Sequence, residues 1–315
     1  MSELVCPACG AGLPELASLR GRDRLHGTPG EFEVFVCAGC GSGRTLPDVA
    51  PELLGELYPD AYNAHSMPPN PLLRLLATGL FETTYWRALR ADPLRRLRDL
   101  PPGRVLDVGS GRGDFGVVMR RKGWGVVGLE PSVQACEVAR RRGVTTELGT
   151  LETTGAVLPP GFDAVVFNHS LEHVVNPARD LLLAHDLLRD GGLLLVSVPN
   201  FGCWQRRWLG SNWLHLDLPR HRSHFSPQGL RTLLNRTGFS LFGLGTSTSA
   251  DGLPLSLQYR LFGRRRFAHG PGLYASIALS LALVPVSWAA NSLARGGDFL
   301  HAVARKATAA DGPST

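Results

Sequence analysis

Three groups of residues in this sequence combine types and spacings that can do chemistry. The first is cysteine: four of the six form the matched pairs Cys6-Pro-Ala-Cys9-Gly and Cys37-Ala-Gly-Cys40-Gly, 27 residues apart. A Cys-x-x-Cys turn followed by glycine aims two thiolates at one point, and two such turns supply a closed tetrahedral four-sulfur set suited to zinc. Four protein ligands leave no open coordination position, so the expected ion holds structure. Cys136 and Cys203 lack such a partner and read as buried small hydrophobes. The second group is histidine, the side chain best matched to proton transfer near neutral pH. His169 and His173 lie four residues apart and share a face if helical. His215, Asp217, His221 and His224 cluster within one later segment. Any one of these imidazoles has a structural reading equal to its catalytic one, and the spacing of His215, His221 and His224 is not diagnostic of a metal.

The third group is acidic. Arg104 to Gly116 reads RVLDVGSGRGDFG: a short apolar strand ending at Asp107, a turn with Gly109, Gly111 and Gly113, then a helix. The glycines let backbone pass close to a ligand, and the helix start offers unpaired N–H groups to an anion. Gly111-x-Gly113-x-x-Gly116 also fits a dinucleotide fingerprint, a weak signal by itself. Asp107 separates the readings, because a carboxylate there repels a pyrophosphate and suits the ammonium and sulfonium charges of S-adenosylmethionine. Glu130 ends the next strand, 23 residues later, where a carboxylate can accept both hydrogen bonds of a ribose diol.

The elements that must position these groups follow from pattern. Glu31 to Val36 alternates as a strand entering the second cysteine turn. Pro47 to Pro71 is a proline-rich linker, and Leu72 to Leu100 has helical periodicity until Pro101-Pro102-Gly103. Gly125 to Glu130, Phe162 to Asn168 and Gly192 to Pro199 are apolar runs expected of buried parallel strands. A helix is expected over 227–237, and Asp298 to Lys306 has the form of a closing antiparallel strand. The segments 1–47, 48–100 and 101–310 are therefore expected to be a zinc ribbon, a linker with cap helices, and a catalytic domain. That domain carries an apolar helical insertion at about 271–295, expected to be a buried or interfacial hairpin.

Val105-Leu106-Asp107-Val108-Gly109-Ser110-Gly111, Gly128-Leu129-Glu130 and Phe162 to Val174, with its Leu171-Glu172-His173-Val174, resemble class I S-adenosylmethionine-dependent methyltransferases. The resemblance implies an α/β fold, a Rossmann-like seven-stranded sheet beside the ribbon. It also implies that Asp107, Gly109, Gly111 and Gly113 hold the methionine part, Glu130 the ribose, and Asn168 the edge nearest the sulfonium. Gly149-Thr150-Leu151-Glu152 falls where the family often has an acid for adenine. Thr150 stands there instead, so Leu151 backbone or Glu152 takes that contact. His173, His169, His224 and His221 are the candidate bases, the last two in a segment expected to lie over the acceptor. Together with the ribbon and Leu57 to Tyr62, these motifs are similar to bacterial methyltransferases acting on sugars, nucleotide sugars or surface-glycan precursors, with Tyr62 either reaching the acceptor or packing in the core.

Composition narrows the alternatives. With 43% hydrophobic residues in 315, the chain can bury a full core without disulfides. The start MSELVCPACG has no basic stretch followed by an apolar run, so a reducing, cytoplasmic location is expected. The net charge of +6 is uneven: residues 201–315 carry 13 basic and 4 acidic side chains. Arg206, Arg207, Arg220 and Arg222 suggest an acceptor with phosphate or carboxylate. An RNA methyltransferase is disfavoured for want of a stacking-aromatic motif or basic helix, and a non-catalytic ribbon adaptor is the third alternative. Leu273 to Ala294 has no charged side chain, which with Arg264-Arg265-Arg266 raises peripheral membrane contact.

Overall fold

The structure, a computed structural model, describes residues 4–49, 97, 100–249, 251–263, 271–294 and 296–307. The linker beyond Val49, Tyr62 and nearly all of the expected cap-helix segment lie outside these residues. In the ribbon, β1 (Leu19–Gly21), β2 (Phe32–Val36) and β3 (Gly43–Leu46) pair antiparallel. Beyond the linker, β4 (Arg104–Val108), α1 (Asp114–Arg121), β5 (Gly125–Glu130), α2 (Val133–Arg141) and β6 (Thr145–Leu148) alternate strand and helix. Next come the short α3 (Leu151–Thr154), then β7 (Phe162–Asn168), α4 (Pro177–Leu187) and β8 (Leu188–Pro199). After α5 (Trp204–Leu209) come β9 (Ser223–His224), α6 (Pro227–Arg236), β10 (Phe239–Ser247), α7 (Gly252–Phe262), α8 (Pro271–Leu293) and β11 (Phe299–Lys306).

The large sheet has seven strands in the order β10-β11-β8-β7-β4-β5-β6, with β11 antiparallel to both neighbours and β4 to β8 parallel. This is the expected Rossmann-like α/β sheet. The order reverses at β4, so the carboxyl ends of β4, β5 and β7 open onto the crevice where ligands bind in such sheets. The first helix begins at once because Gly113, at φ 75°, makes a left-handed bend that other residues resist. Gly116 lets α1 lie against the sheet, since a Cβ there would sit 2.8 Å from Val144 Cγ1. Ser132, Asn176 and Ser226 cap α2, α4 and α6 with side-chain oxygens, satisfying otherwise unpaired amides.

The small sheet departs from a self-contained ribbon. Its order is β1-β2-β3-β9, and β9 comes from residues 223–224 of the catalytic part, pairing Gly43 with His224 and Arg44 with Ser223. Cys6, Ala8, Cys37 and Cys40 belong to the same buried cluster as Leu230, Leu233, Phe225 and the large-sheet residues Leu106 and Val196. The hairpin expected within 271–295 takes another form: that segment is one helix, α8, with Pro285 inside it, and it packs against α7.

Candidate functional site

Asp107 is the penultimate residue of β4, 2% exposed. Burial pushes its carboxyl up to about 7, and the nearby Glu130 and Asp114 carboxylates push the same way. Glu130 ends β5 and is gripped by the turn it faces: Gly111 N–H donates to Oε2 at 2.8 Å and Ser132 N–H to Oε1 at 2.9 Å. Burial still raises its carboxyl, while those amides and the charge of His173 pull the other way. Gly109, at φ 74°, lets the turn pass Ser170, whose Cβ would lie 2.5 Å from a Cβ at 109. Among the described residues nothing lies within 4 Å of a Cβ placed at Gly111, and the buried Ser110 Oγ beside it has no hydrogen-bond partner. Two buried acids, a glycine turn and an unsatisfied hydroxyl are groups that could hold a cationic, polar ligand of the S-adenosylmethionine type. Thr150 uses its hydroxyl as the N-cap of α3, accepting from Thr153 N–H at 3.3 Å; Leu151 is buried behind it. Asn168 ends β7, half-buried, opposite Ser197.

Beyond β7 the chain turns through His169, whose φ of 55° is strained for a non-glycine residue, a cost found most often at functional positions. Its Nδ1 lies 3.6 Å from Glu172 Oε1, and its ring meets Phe299 edge-on at 4.5 Å. Glu172 is 1% exposed, and neither carboxylate oxygen is hydrogen-bonded among the described residues. Burial alone would raise this carboxyl, but the surrounding imidazoles His169, His173 and His221 outweigh it and hold it low. The rings of His173 and His221 meet at 4.7 Å. Burial and the neighbouring His173 push His221 down to about 4.

A family model described as a methyltransferase domain matches residues 82–242, just over half of the chain. The chain belongs to this methyltransferase family. Among relatives, a ubiquinone biosynthesis O-methyltransferase of Xylella fastidiosa (strain 9a5c) is 28% identical over 165 residues, covering 49% of this chain and 67% of that protein. Its counterpart in Xanthomonas campestris pv. campestris (strain B100) is 30% identical over 145 residues, covering 44% and 61%. This chain thus spans about three fifths to two thirds of the length of the curated relatives it matches. A solved S-adenosylmethionine-dependent methyltransferase from Archaeoglobus fulgidus superposes with a TM-score of 0.50 at 17% identity, covering 74% of this chain and 98% of that one, a likeness of fold. The methyltransferase fold and family make S-adenosylmethionine the methyl donor.

In this methyltransferase the histidine segment is divided by its partners. His221 joins Glu172 and His173, whereas His224 lies in β9 against the ribbon. Thr45 Oγ1 donates to His221 O at 2.7 Å, so it must accept from His224 Nε2–H at 2.8 Å. Burial, with His221 and Arg206 nearby, pushes His224 down to about 3. His224 therefore fixes the ribbon to the loop and is not placed as a base. His215 leaves as well, its Nε2 facing Asp298 Oδ2 at 3.2 Å and Ser249 Oγ at 3.3 Å, so His215, His221 and His224 do not converge. The arginines are also engaged. Arg220 is fully buried, donating to both Asp23 oxygens at 2.8 Å and to Asp217 at 2.6 Å; Arg222 donates to Val49 O at 2.8 Å and sits 3.7 Å from Asp48. Arg206 and Arg207 donate to backbone carbonyls of 201 and 202. The acidic-acceptor expectation loses the residues that carried it, because acids and carbonyls of the chain already meet these guanidiniums.

Glu172 lies in the Leu171 to Val174 motif without a role assigned from sequence, though an acid beside a histidine after a buried strand is a usable signal. Asp23 gave none, being 197 residues from Arg220. At the ribbon, Cys6 and Cys40 Sγ are 3.5 Å apart, as are Cys9 and Cys37, and all four thiols lie within 4.8 Å of one another. Gly10 and Gly41 N–H donate to Cys6 O and Cys37 O, each at 2.9 Å, closing two equivalent turns.

Proposed function

We propose that this methyltransferase transfers a methyl group to a hydroxyl of a small-molecule or glycan-type acceptor. The observation that carries the reading is adjacency: Ser170, in the turn between His169 and Glu172, donates to Val108 O at 2.5 Å and packs against Gly109, which sets the His169, Glu172, His173 and His221 group beside the acids Asp107 and Glu130. Bound S-adenosylmethionine supplies an electrophilic methyl group on a sulfonium. Asp107 and the Gly109 to Gly113 turn hold the methionine end, Glu130 the ribose, and Leu151 the adenine side. His169, 39% exposed on its side chain, is the imidazole open to an entering hydroxyl and takes its proton. His173 and His221 line the same wall. The sugar or glycan class rests on the motif resemblance, and the relatives' O-methyltransferase names favour oxygen. The test is S-adenosylhomocysteine binding by calorimetry, lost in Asp107→Ala and Glu130→Ala. Incubation with labelled donor and candidate hydroxylated acceptors should then give an O-methyl product by NMR. Unchanged binding in both variants would sink the reading.

The four cysteines are proposed to hold zinc. Sulfurs on a tetrahedral zinc are about 3.8 Å apart for bonds of about 2.3 Å, near the 3.5 Å of the two closest pairs; a disulfide, at about 2.05 Å, is far shorter. A lipid-linked acceptor is the further expectation. No helix among the described residues is long and apolar enough to cross a membrane. However, Trp208, Val286, Trp288 and Leu293 are exposed on α5 and α8, and the Arg260 guanidinium lies 5.5 Å over the Trp208 ring. Exposed tryptophans beside arginine suit an anionic bilayer surface.

A further inference from the structure

We propose that Glu172, His173 and His221 form a second metal site, a two-histidine, one-carboxylate triad for a divalent transition ion at the acceptor side of the cleft. The inference rests on the methyltransferase reading for its use, but not for its existence. Three observations carry it. One ligand atom from each residue lies within 4.8 Å of the others, with His221 Nε2 4.0 Å from Glu172 Oε1. Ligands of one ion are about 3 to 3.5 Å apart at bond lengths of about 2.1 Å, so closure needs movements of about 1 Å. The Glu172 carboxylate is 1% exposed, and among the described residues neither of its oxygens has a hydrogen-bond partner. His169 Nδ1 and His221 Nε2 approach it at 3.6 and 4.0 Å, beyond hydrogen-bond reach, and a buried carboxylate favours a closer cation.

The third observation is how the rings are held. His173 Nδ1 lies 3.1 Å from Arg220 O and His221 Nδ1 2.8 Å from His215 O. A carbonyl can only accept, so both Nδ1 atoms carry a proton, and in the neutral rings Nε2 is the atom a metal would take. Metal-bound histidines are oriented by this same second contact. Both carbonyls belong to the loop that Arg220 ties to Asp23, so the ribbon fixes two of the three ligands. Nitrogen and carboxylate donors suit zinc, iron or cobalt over magnesium or calcium, and a triad leaves positions open.

The open positions are for the acceptor hydroxyl, or a vicinal pair of hydroxyls. Polarisation by the ion weakens the O–H bond; the proton passes to His169. The oxygen lone pair then forms the new O–CH3 bond as the S–CH3 bond of the donor breaks, leaving S-adenosylhomocysteine and the methyl ether. No redox change and no further reactant are needed.

The experiment is metal stoichiometry on the full chain, without donor or acceptor. Chelator-treated protein is titrated with Zn(II) or Co(II), with ion content read by mass spectrometry after desalting and ligand type by visible absorption. Expected are two ions per chain: one giving intense sulfur-to-cobalt bands, the other only weak d–d bands. Glu172→Gln and His221→Ala should each keep the sulfur-bound ion, which reports a folded ribbon, and lose the second or weaken it at least 100-fold. Wild-type protein taking up a single ion overturns the triad with no variant needed, as does a second ion that survives both substitutions. Neither result touches S-adenosylhomocysteine binding, which tests the methyltransferase reading separately.

Discussion

Asp107 shows how one buried carboxylate trades stability for ligand affinity. Its folded pKa, about 7, is raised above the ordinary 3.8 by burial and the nearby acids. Its protonated form therefore contributes stability that is present below pH 3.8 and lost as pH rises through about 7. Asp107→Asn should leave the ligand-free melting temperature unchanged at pH 4 and raise it by several degrees at pH 8, while abolishing S-adenosylhomocysteine binding. In the wild type a cationic ligand selects the ionised carboxylate, so affinity measured by calorimetry should rise about tenfold per pH unit below 7 and level off above it. A flat profile would show that the ammonium and sulfonium ends do not meet this side chain. Gly109 is constrained twice, by φ 74° and by Ser170. Gly109→Ala should therefore weaken the same ligand at least tenfold and lower the melting temperature.

At the level of elements, the ribbon and the histidine loop act as one unit. Strand β9 completes the ribbon sheet, Thr45 holds His221 and His224, and Ser226 Oγ donates to Cys40 O. The fully buried Arg220 ties Asp23 to Asp217. Removing one partner of a buried ion pair leaves an uncompensated charge, at a cost of about 3 to 5 kcal/mol. Asp23→Ala should therefore lower the melting temperature markedly and raise the acceptor KM, with S-adenosylhomocysteine affinity within about twofold of wild type. An equal loss of both affinities would mean that the clamp supports the whole domain and not the acceptor side. This arrangement leaves little room for the ribbon as a detachable adaptor, since its fourth strand comes from the catalytic part.

At the scale of the whole molecule, the proposed zinc and the apolar helix make separate predictions. Stripping the four-thiol site with a thiol-reactive mercurial, then removing the mercury with excess thiol and chelator, should lower the melting temperature and impair acceptor turnover before donor binding. Co-sedimentation with anionic vesicles should fall at least threefold in Trp288→Ala, with neutral vesicles unbound in either case. Equal pelleting of variant and wild type would remove α8 from any membrane role. Sequence by itself determined what depends on local order along the chain. A Cys-x-x-Cys-Gly turn, a strand ending in Asp107 before three glycines, and Glu130 on the next strand each place their atoms through contacts a few residues long. Their placement was therefore legible without coordinates, as were the parallel strands with their continuous apolar runs. Only the tertiary structure decided which histidines matter, because Asp23 and Arg220, Thr45 and His224, and Glu172 and His221 meet across tens to nearly two hundred residues. No periodicity encodes such meetings. They follow from burial: a carboxylate or guanidinium taken out of water must find a partner, and the fold alone sets which one is in reach.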